Sequence, residues 1–218
     1  MKKLILAAIT VTTAASVFAQ GTVAFVNRSS GGTSHVYSSP AGVRTARQGN
    51  GPGDSPAGAS DWTGYTLIGT VGGMTASTTF AQLLGANGAG APESSLLPGL
   101  PTTTFRTGAA AGNNVLVTST FNNIPLDAAA ASFEMVAWDN SSGLYPTWAQ
   151  ASVAWTGGLI AAGRSAEFTL NNIGGTTFTP PNVEPGLTSF NIFIVPEPTT
   201  AALAGLGAAA LLIFRRRK

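Results

Sequence analysis

The chain has 218 residues, of which 9 % are charged and none is Cys. That length holds one domain of ordinary size or two small ones. The lack of Cys excludes a disulfide framework, a thiolate metal site and a Cys nucleophile. The formal charge of +2 hides a division, because Lys2, Lys3, Arg215, Arg216, Arg217 and Lys218 supply more than half of the eleven basic residues. Between those ends, five arginines (Arg28, Arg44, Arg47, Arg106, Arg164) stand against eight carboxylates (Asp54, Asp61, Glu93, Asp127, Glu134, Asp139, Glu167, Glu184), and five minus eight is −3. A basic chain suggests a nucleic-acid partner. Here the excess belongs to the ends, so no such partner is expected.

At the N-terminus, Lys2 and Lys3 precede an apolar run from Leu4 to Ala15. Val17 and Ala19 then sit at the −3 and −1 positions of a cleavage site. This is the layout of a secretory signal peptide over residues 1–19, with cutting expected between Ala19 and Gln20. The run is too short to span a bilayer stably. The partners it implies are the Sec translocon and signal peptidase.

Residues 20–194 read as a β-rich extracytoplasmic domain. Short runs rich in β-branched and aromatic residues recur between Gly, Pro and Asn clusters. They predict strands over Thr22–Asn27, Gly64–Val71, Thr78–Leu84, Thr102–Thr107, Asn114–Phe121, Ser132–Trp138, Ser165–Asn171 and Ser189–Val195. Several alternate with period 2. Phe133, Met135 and Ala137 take one face and Glu134 and Val136 the other; Ala166, Phe168 and Leu170 alternate with Ser165, Glu167 and Thr169. One buried and one wet face is the antiparallel pattern. The predicted class is all-β, an antiparallel sandwich or jelly-roll-like domain with one short helix. That helix has Pro146 in its first turn and Trp148, Ala151 and Trp155 at helical spacing. Residues 29–60 and 85–101 are predicted loops, the first long and poor in apolar side chains.

The middle offers little chemistry. His35 is the one histidine and lies in a Gly/Ser-rich stretch, so any Ser-His-Asp arrangement must use it. No Ser stands in a G-x-S-x-G elbow. Glu134, Asp139 and Glu167 are the candidate carboxylates for glycoside hydrolysis. Asp54 and Asp139-Asn140 offer oxygen ligands to calcium, but no D-x-D-x-D-G loop is present. No cofactor, metal site or catalytic residue is assigned, and the chain is expected not to be an enzyme. Trp62, Trp138, Trp148, Trp155, Tyr65 and Tyr145 are read mainly as core. Tyr145 and Trp148, beside a Gly-Leu turn, are the best candidates to stack on a sugar. Asn27-Arg28-Ser29 and Asn140-Ser141-Ser142 fit the N-x-S sequon.

At the C-terminus, Pro196-Glu197-Pro198 stays extended because its prolines resist the helix. Thr199 to Phe214 follows without a charge, and Arg215 to Lys218 closes the chain. As a helix, 199–214 spans about 24 Å, short for a hydrocarbon core of about 30 Å, so it is a marginal transmembrane segment. The basic cluster should stay cytoplasmic. Gly205 to Ala210 fits the dinucleotide pattern G-x-G-x-x-A, but no strand precedes it. Small residues there suit close packing against another membrane helix.

The tail, residues 195–218, resembles that of the PEP-CTERM proteins of Gram-negative bacteria, with motif, apolar helix and basic cluster in order. The resemblance implies recognition and processing by an exosortase, a membrane-embedded protease. The segments Thr104–Gly108, Ala137–Asn140 and Gly163–Phe168 resemble elements of uncharacterised exported members from Verrucomicrobia-like bacteria, a group that implies no activity. The function expected is a non-enzymatic surface or extracellular-matrix-associated protein, membrane-anchored before processing, with exopolysaccharide as a candidate partner. The alternatives are a glycan-binding jelly-roll module and, behind it, a polysaccharide hydrolase.

Overall fold

The computed structural model describes residues 20–196. The expected signal peptide (1–19) and the tail from Glu197 onward lie outside the described residues. In chain order the strands are β1 (Gly21–Phe25), β2 (Arg28–Ser29), β3 (Gly32–Thr33), β4 (Val36–Ser38), β5 (Thr66–Leu67), β6 (Thr79–Asn87), β7 (Leu97–Pro98), β8 (Thr103–Thr104), β9 (Val117–Phe121) and β10 (Ala130–Asp139). Helix α1 (Trp148–Thr156) follows, then β11 (Ala162–Arg164), β12 (Phe168–Asn171) and β13 (Phe190–Ile192).

The antiparallel β6–β10 ladder is the spine, running from Asn87 opposite Ala131 to Thr79 opposite Asp139. Beyond β10 lie β11 and β12 in tandem, and beyond β6 lie β7 and β8. One face of this sheet packs Ala81, Leu83, Phe133, Met135 and Ala137 against Val23, Phe25 and Phe121 of the β1–β9 pair, and against Val36, Phe190 and Ile192. Those last three belong to a small sheet ordered β13–β4–β5. Antiparallel layers facing each other across an apolar core are consistent with a β-sandwich. One pairing departs from the antiparallel expectation: β13 runs parallel to β4.

The expectation of one wet face fails for β10. Its second face carries Val136 and Trp138, which pack with Leu84 and Ala86 of β6 under Ala151, Ala154 and Trp155 of α1. The helix therefore covers what would otherwise be a solvated surface. Trp138 is fully buried, and its indole N–H donates to the Tyr145 carbonyl at 2.8 Å. Full burial of such a side chain contributes about 1.5–3 kcal/mol or more, and the bond removes the cost of an orphaned donor.

Helix α1 starts at Trp148, two residues after the proline expected in its first turn. Thr147 is the cap, its hydroxyl oxygen accepting from the Gln150 N–H and its O–H donating to Oε1 of Gln150, and Pro146 precedes the cap. This is a threonine N-cap, and the Gln150 side chain holds the capping hydroxyl in place. The helix ends where Leu159 N–H donates to the Ala154 carbonyl and Gly158 N–H to that of Trp155. Those two bonds form a Schellman motif, and Gly158 at φ 73° supplies its left-handed residue. Gly158→Ala is expected to cost about 1 kcal/mol, whereas Gly157→Ala, at φ −80°, costs little. Thermal denaturation of both variants checks this, and equal losses would refute it.

Other boundaries moved for physical reasons. The predicted strand Ser165–Asn171 begins only at Phe168, with Ser165 buried and Ala166 and Glu167 exposed in the break after β11. The Ser165 hydroxyl accepts from Met135 N–H and donates to the Ala166 carbonyl, replacing ladder bonds at the break. Predicted strand Gly64–Val71 shrinks to β5, and Thr102–Thr107 to β8. The 85–101 loop holds the end of β6 and all of β7. The 29–60 loop is ordered: it contains β2, β3 and β4 and buries Ser34, Val36 and Asp54. Asn27 and Asn114 anchor its root, each side-chain oxygen accepting from the other's backbone N–H at 2.8–2.9 Å. The Asn27 amide also donates to the Ser34 and Gly112 carbonyls, so this sequon asparagine is buried and occupied.

Candidate functional site

The densest group of titratable side chains lies where the 29–60 segment meets the strand before the tail. His35 follows β3, Asp54 sits in a turn closed by Gly51, and Ser189 precedes β13. Asp54 Oδ1 lies 2.5 Å from His35 Nδ1. Its Oδ2 accepts from Gly51 N–H at 2.6 Å and from the Ser189 hydroxyl at 2.9 Å. The His35 backbone N–H in turn donates to Ser189 Oγ at 2.7 Å. Burial works to raise the Asp54 pKa, but the bonds from His35, Gly51 and Ser189 outweigh it and hold the carboxyl below its usual value.

Glu184 lies beside this group with a different balance. Its Oε1 accepts from the Ser34 hydroxyl at 2.6 Å, while Oε2 is buried without a partner. Burial pushes the Glu184 pKa up to about 7, and the Asp54 charge adds to the rise. Gly32 is required alongside, since a Cβ there would lie 2.4 Å from the Ser55 carbonyl oxygen. Outward from the polar group runs an aromatic ladder. Tyr37 stacks on Trp62 at 4.2 Å, Trp62 meets Tyr65 edge-on, and the Arg47 guanidinium covers Tyr65 at 4.9 Å. Burial raises the Tyr37 hydroxyl to about 12, with Asp54 contributing.

His35 is therefore a half-buried partner of a buried carboxylate and not the solvated loop residue that its sequence neighbourhood suggests. The geometry is not that of a nucleophilic triad. Ser189 Oγ gives its proton to Asp54 instead of to an imidazole, and Ser189 is fully buried. The group ties Gly49 to Ser55 onto Ser189, and its chemistry is that of a polar clasp.

Of the other sequence candidates, Glu134 and Glu167 lie beside each other where β10 meets the start of β12, and Asp139 stands apart at the far end of β10. Glu134 is buried on β10, with Oε1 3.5 Å from Nε of Arg164. Arg164 also pairs with Glu93 and lies over the Trp155 ring. Burial, with the charge of Glu167 behind it, raises Glu134 to about 7. Glu167 is exposed, and Asp139 caps the next turn by accepting from Ser141 N–H. Among the described residues no group of three or more His, Asp or Glu comes together to hold a metal ion. Three surface hollows stand out, and none has a carboxylate or imidazole in its wall. Trp62, Trp138 and Trp155 are buried, while Tyr145 and Trp148 are half-buried, Trp148 lying 5.7 Å from Trp138 and 6.1 Å from Trp155.

Sequence reasoning missed the clasp. Asp54 lies 135 residues from Ser189, and no local pattern joins them. The one available signal was Gly51-Pro52-Gly53-Asp54, a turn whose carboxylate reaches back to the first N–H.

The last strand, β13, ends at Ile192 and the chain leaves the domain at Val195-Pro196. Residues 195–218 match the PEP-CTERM protein-sorting motif. The PEP-CTERM match begins directly where the folded domain stops and covers 24 of 218 residues, so it identifies the tail and carries no statement about the sandwich. The motif implies an exported protein that is processed by an exosortase, a membrane protein. No curated protein and no solved structure matches the chain. Among the described residues no helix is long and apolar enough to cross a membrane.

Proposed function

We propose that this chain is a non-enzymatic surface or matrix-associated protein, delivered by its signal peptide and held in the membrane by residues 199–214 until an exosortase cuts at or near Pro196-Glu197-Pro198. The observation that carries this reading is the junction. A sorting motif starts at Val195, three residues beyond the end of β13. A protease acting there would release the whole sandwich intact. Arg215 to Lys218 keeps the far end of the tail on the cytoplasmic side. The segments at 104–108, 137–140 and 163–168 support placing the domain with exported proteins of Verrucomicrobia-like bacteria.

The domain's own chemistry supports a non-catalytic role. Its one imidazole is bound to a buried carboxylate, and the three hollows described above have no carboxylate or imidazole in their walls. A glycan-binding role at the cell surface is the second reading, with Tyr145 and Trp148 as the stacking pair. Its support is that both residues are half-buried and that Tyr145 lines an apolar groove.

Intact mass spectrometry of the protein from its native cells tests the first reading. The mature form is expected to begin at Gln20 and to lack Arg215 to Lys218 in surface fractions. Deleting the exosortase, or replacing Glu197 with Ala, should leave the tail attached. Surface protein that keeps the basic cluster in otherwise normal cells would overturn the reading.

A further inference from the structure

From Asn140 to Gly163 the chain carries no charged side chain. This stretch builds α1 and both its flanking loops. Helices on protein surfaces ordinarily turn a charged face to water. The open side of α1 instead carries Ala149, Gln150, Val153 and Thr156. Leu144, Val153 and Leu159 are 68 %, 71 % and 70 % exposed around a shallow groove of about 480 Å³. Tyr145 lines that groove, and the half-buried Trp148 lies in the same helix.

The chain leaves the domain along this helix. The Trp155 indole N–H donates to the Phe193 carbonyl at 2.9 Å, and Phe193 pairs with Ala162. Val195 packs on the same small core as Tyr145 and Trp148. Only Pro196-Glu197-Pro198 separates Val195 from the uncharged run that begins at Thr199. Fully extended, the four steps from Val195 to Thr199 reach at most about 14 Å, little more than the thickness of one helix with its side chains. A domain on so short a leash cannot stand clear of a bilayer that holds its tail.

We propose that the Leu144, Val153 and Leu159 face of α1 is a membrane-contact surface, resting in the interfacial layer of the lipid while the tail is uncut. This rests on the reading of residues 199–214 as membrane-held. A lipid surface fits better than a protein partner for two reasons. The face has no charge to desolvate or to orient a docked chain, and Tyr and Trp at its border suit the headgroup level. Without Lys or Arg the contact is weak by itself. The tether makes it effective by fixing the face at high local concentration beside the lipid. Cutting the tether would let the domain go, so the contact holds the junction at the membrane before processing and does not trap the product after it.

The lack of Cys in the chain makes the test direct. The full chain is reconstituted into phosphatidylcholine vesicles as single variants Val153→Cys, Leu159→Cys, Val71→Cys and Ala208→Cys, each labelled with an environment-sensitive fluorophore. Lipids bearing a spin label at shallow depth are expected to quench the probes at positions 153 and 159 by about twofold or more. Lipids labelled deep in the acyl chain should quench the probe at 208, which sits near the middle of 199–214, and neither lipid should quench the one at 71. Quenching at 208 with none at 153 or 159 would overturn the surface and spare the reading of the tail. No quenching at 208 would overturn that reading and the surface with it. Probes at 153 and 159 shielded from aqueous iodide yet untouched by the lipid quencher would mean that another protein segment covers the face, which also overturns the proposal.

Discussion

At pH 8, Glu184→Gln is expected to be more stable than the unsubstituted protein by about 3 kcal/mol, and at pH 4 the two should be nearly equal. The Glu184 carboxyl is raised from 4.5 to about 7 in the fold. Below pH 4.5 both the folded and the unfolded states bind its proton, and no stability is lost. Between pH 4.5 and 7 the unfolded chain gives up the proton while the folded one keeps it, so stability falls as pH rises. Above 7 both states are ionised and the loss levels off. Gln keeps the shape of the neutral acid and still accepts from the Ser34 hydroxyl, but it has no charge to bury. Denaturant unfolding at several pH values checks this; parallel curves for the two proteins from pH 4 to pH 8 would refute it. Glu134 is raised to a similar value, but Arg164 at 3.5 Å partly compensates its charge. Glu134→Gln should therefore gain less, because it also gives up an ion pair.

Neither raised carboxyl was legible in the sequence, and the reason is the same for both. Each sits where local pattern predicts solvent. Glu134 alternates with Phe133 and Met135, which marks it as outward-facing in a sheet with one wet face. Only the distant helix α1 and the Glu93 turn close over that face. The features that were legible are those fixed within a few residues. The Trp spacing of α1 is one, and the Pro-Glu-Pro tail is another. The β-branched and aromatic runs of β6, β9 and β10 are also of this kind, although the β6–β10 register depends on a match between segments some fifty residues apart. The 29–60 stretch misled most. Its composition, rich in Gly and Ser and poor in apolar side chains, describes a chain that cannot bury enough apolar surface to order itself. It is ordered by buried polar bonds whose partners come from the far end of the domain.

That polar ordering makes Asp54→Ala the most disruptive substitution in the clasp. The expected loss is about 3–5 kcal/mol, the cost of breaking a buried charged network by removing one partner. His35, Gly51 N–H and Ser189 would each lose the acceptor they now share. The damage should be local before it is global. In hydrogen exchange, the amides of Gly49, Ser55 and Gly58, which bond to Ser189, Thr33 and Gly51 carbonyls, are expected to lose protection first. Amides of the β6–β10 ladder should hold until the whole domain unfolds. The pH dependence runs opposite to that of Glu184. The Asp54 pKa is depressed from 3.8, so its contribution is present above that value and is lost as pH falls through the folded pKa. The two carboxylates together place the stability maximum near pH 4–5, between the loss of Asp54 on one side and the ionisation of Glu184 on the other. An Asp54→Ala protein with unchanged exchange and unchanged unfolding would contradict the clasp. It would also turn attention to His35 and Ser189 as groups held for chemistry, because a buried charge that contributes nothing to the fold needs another reason to be there.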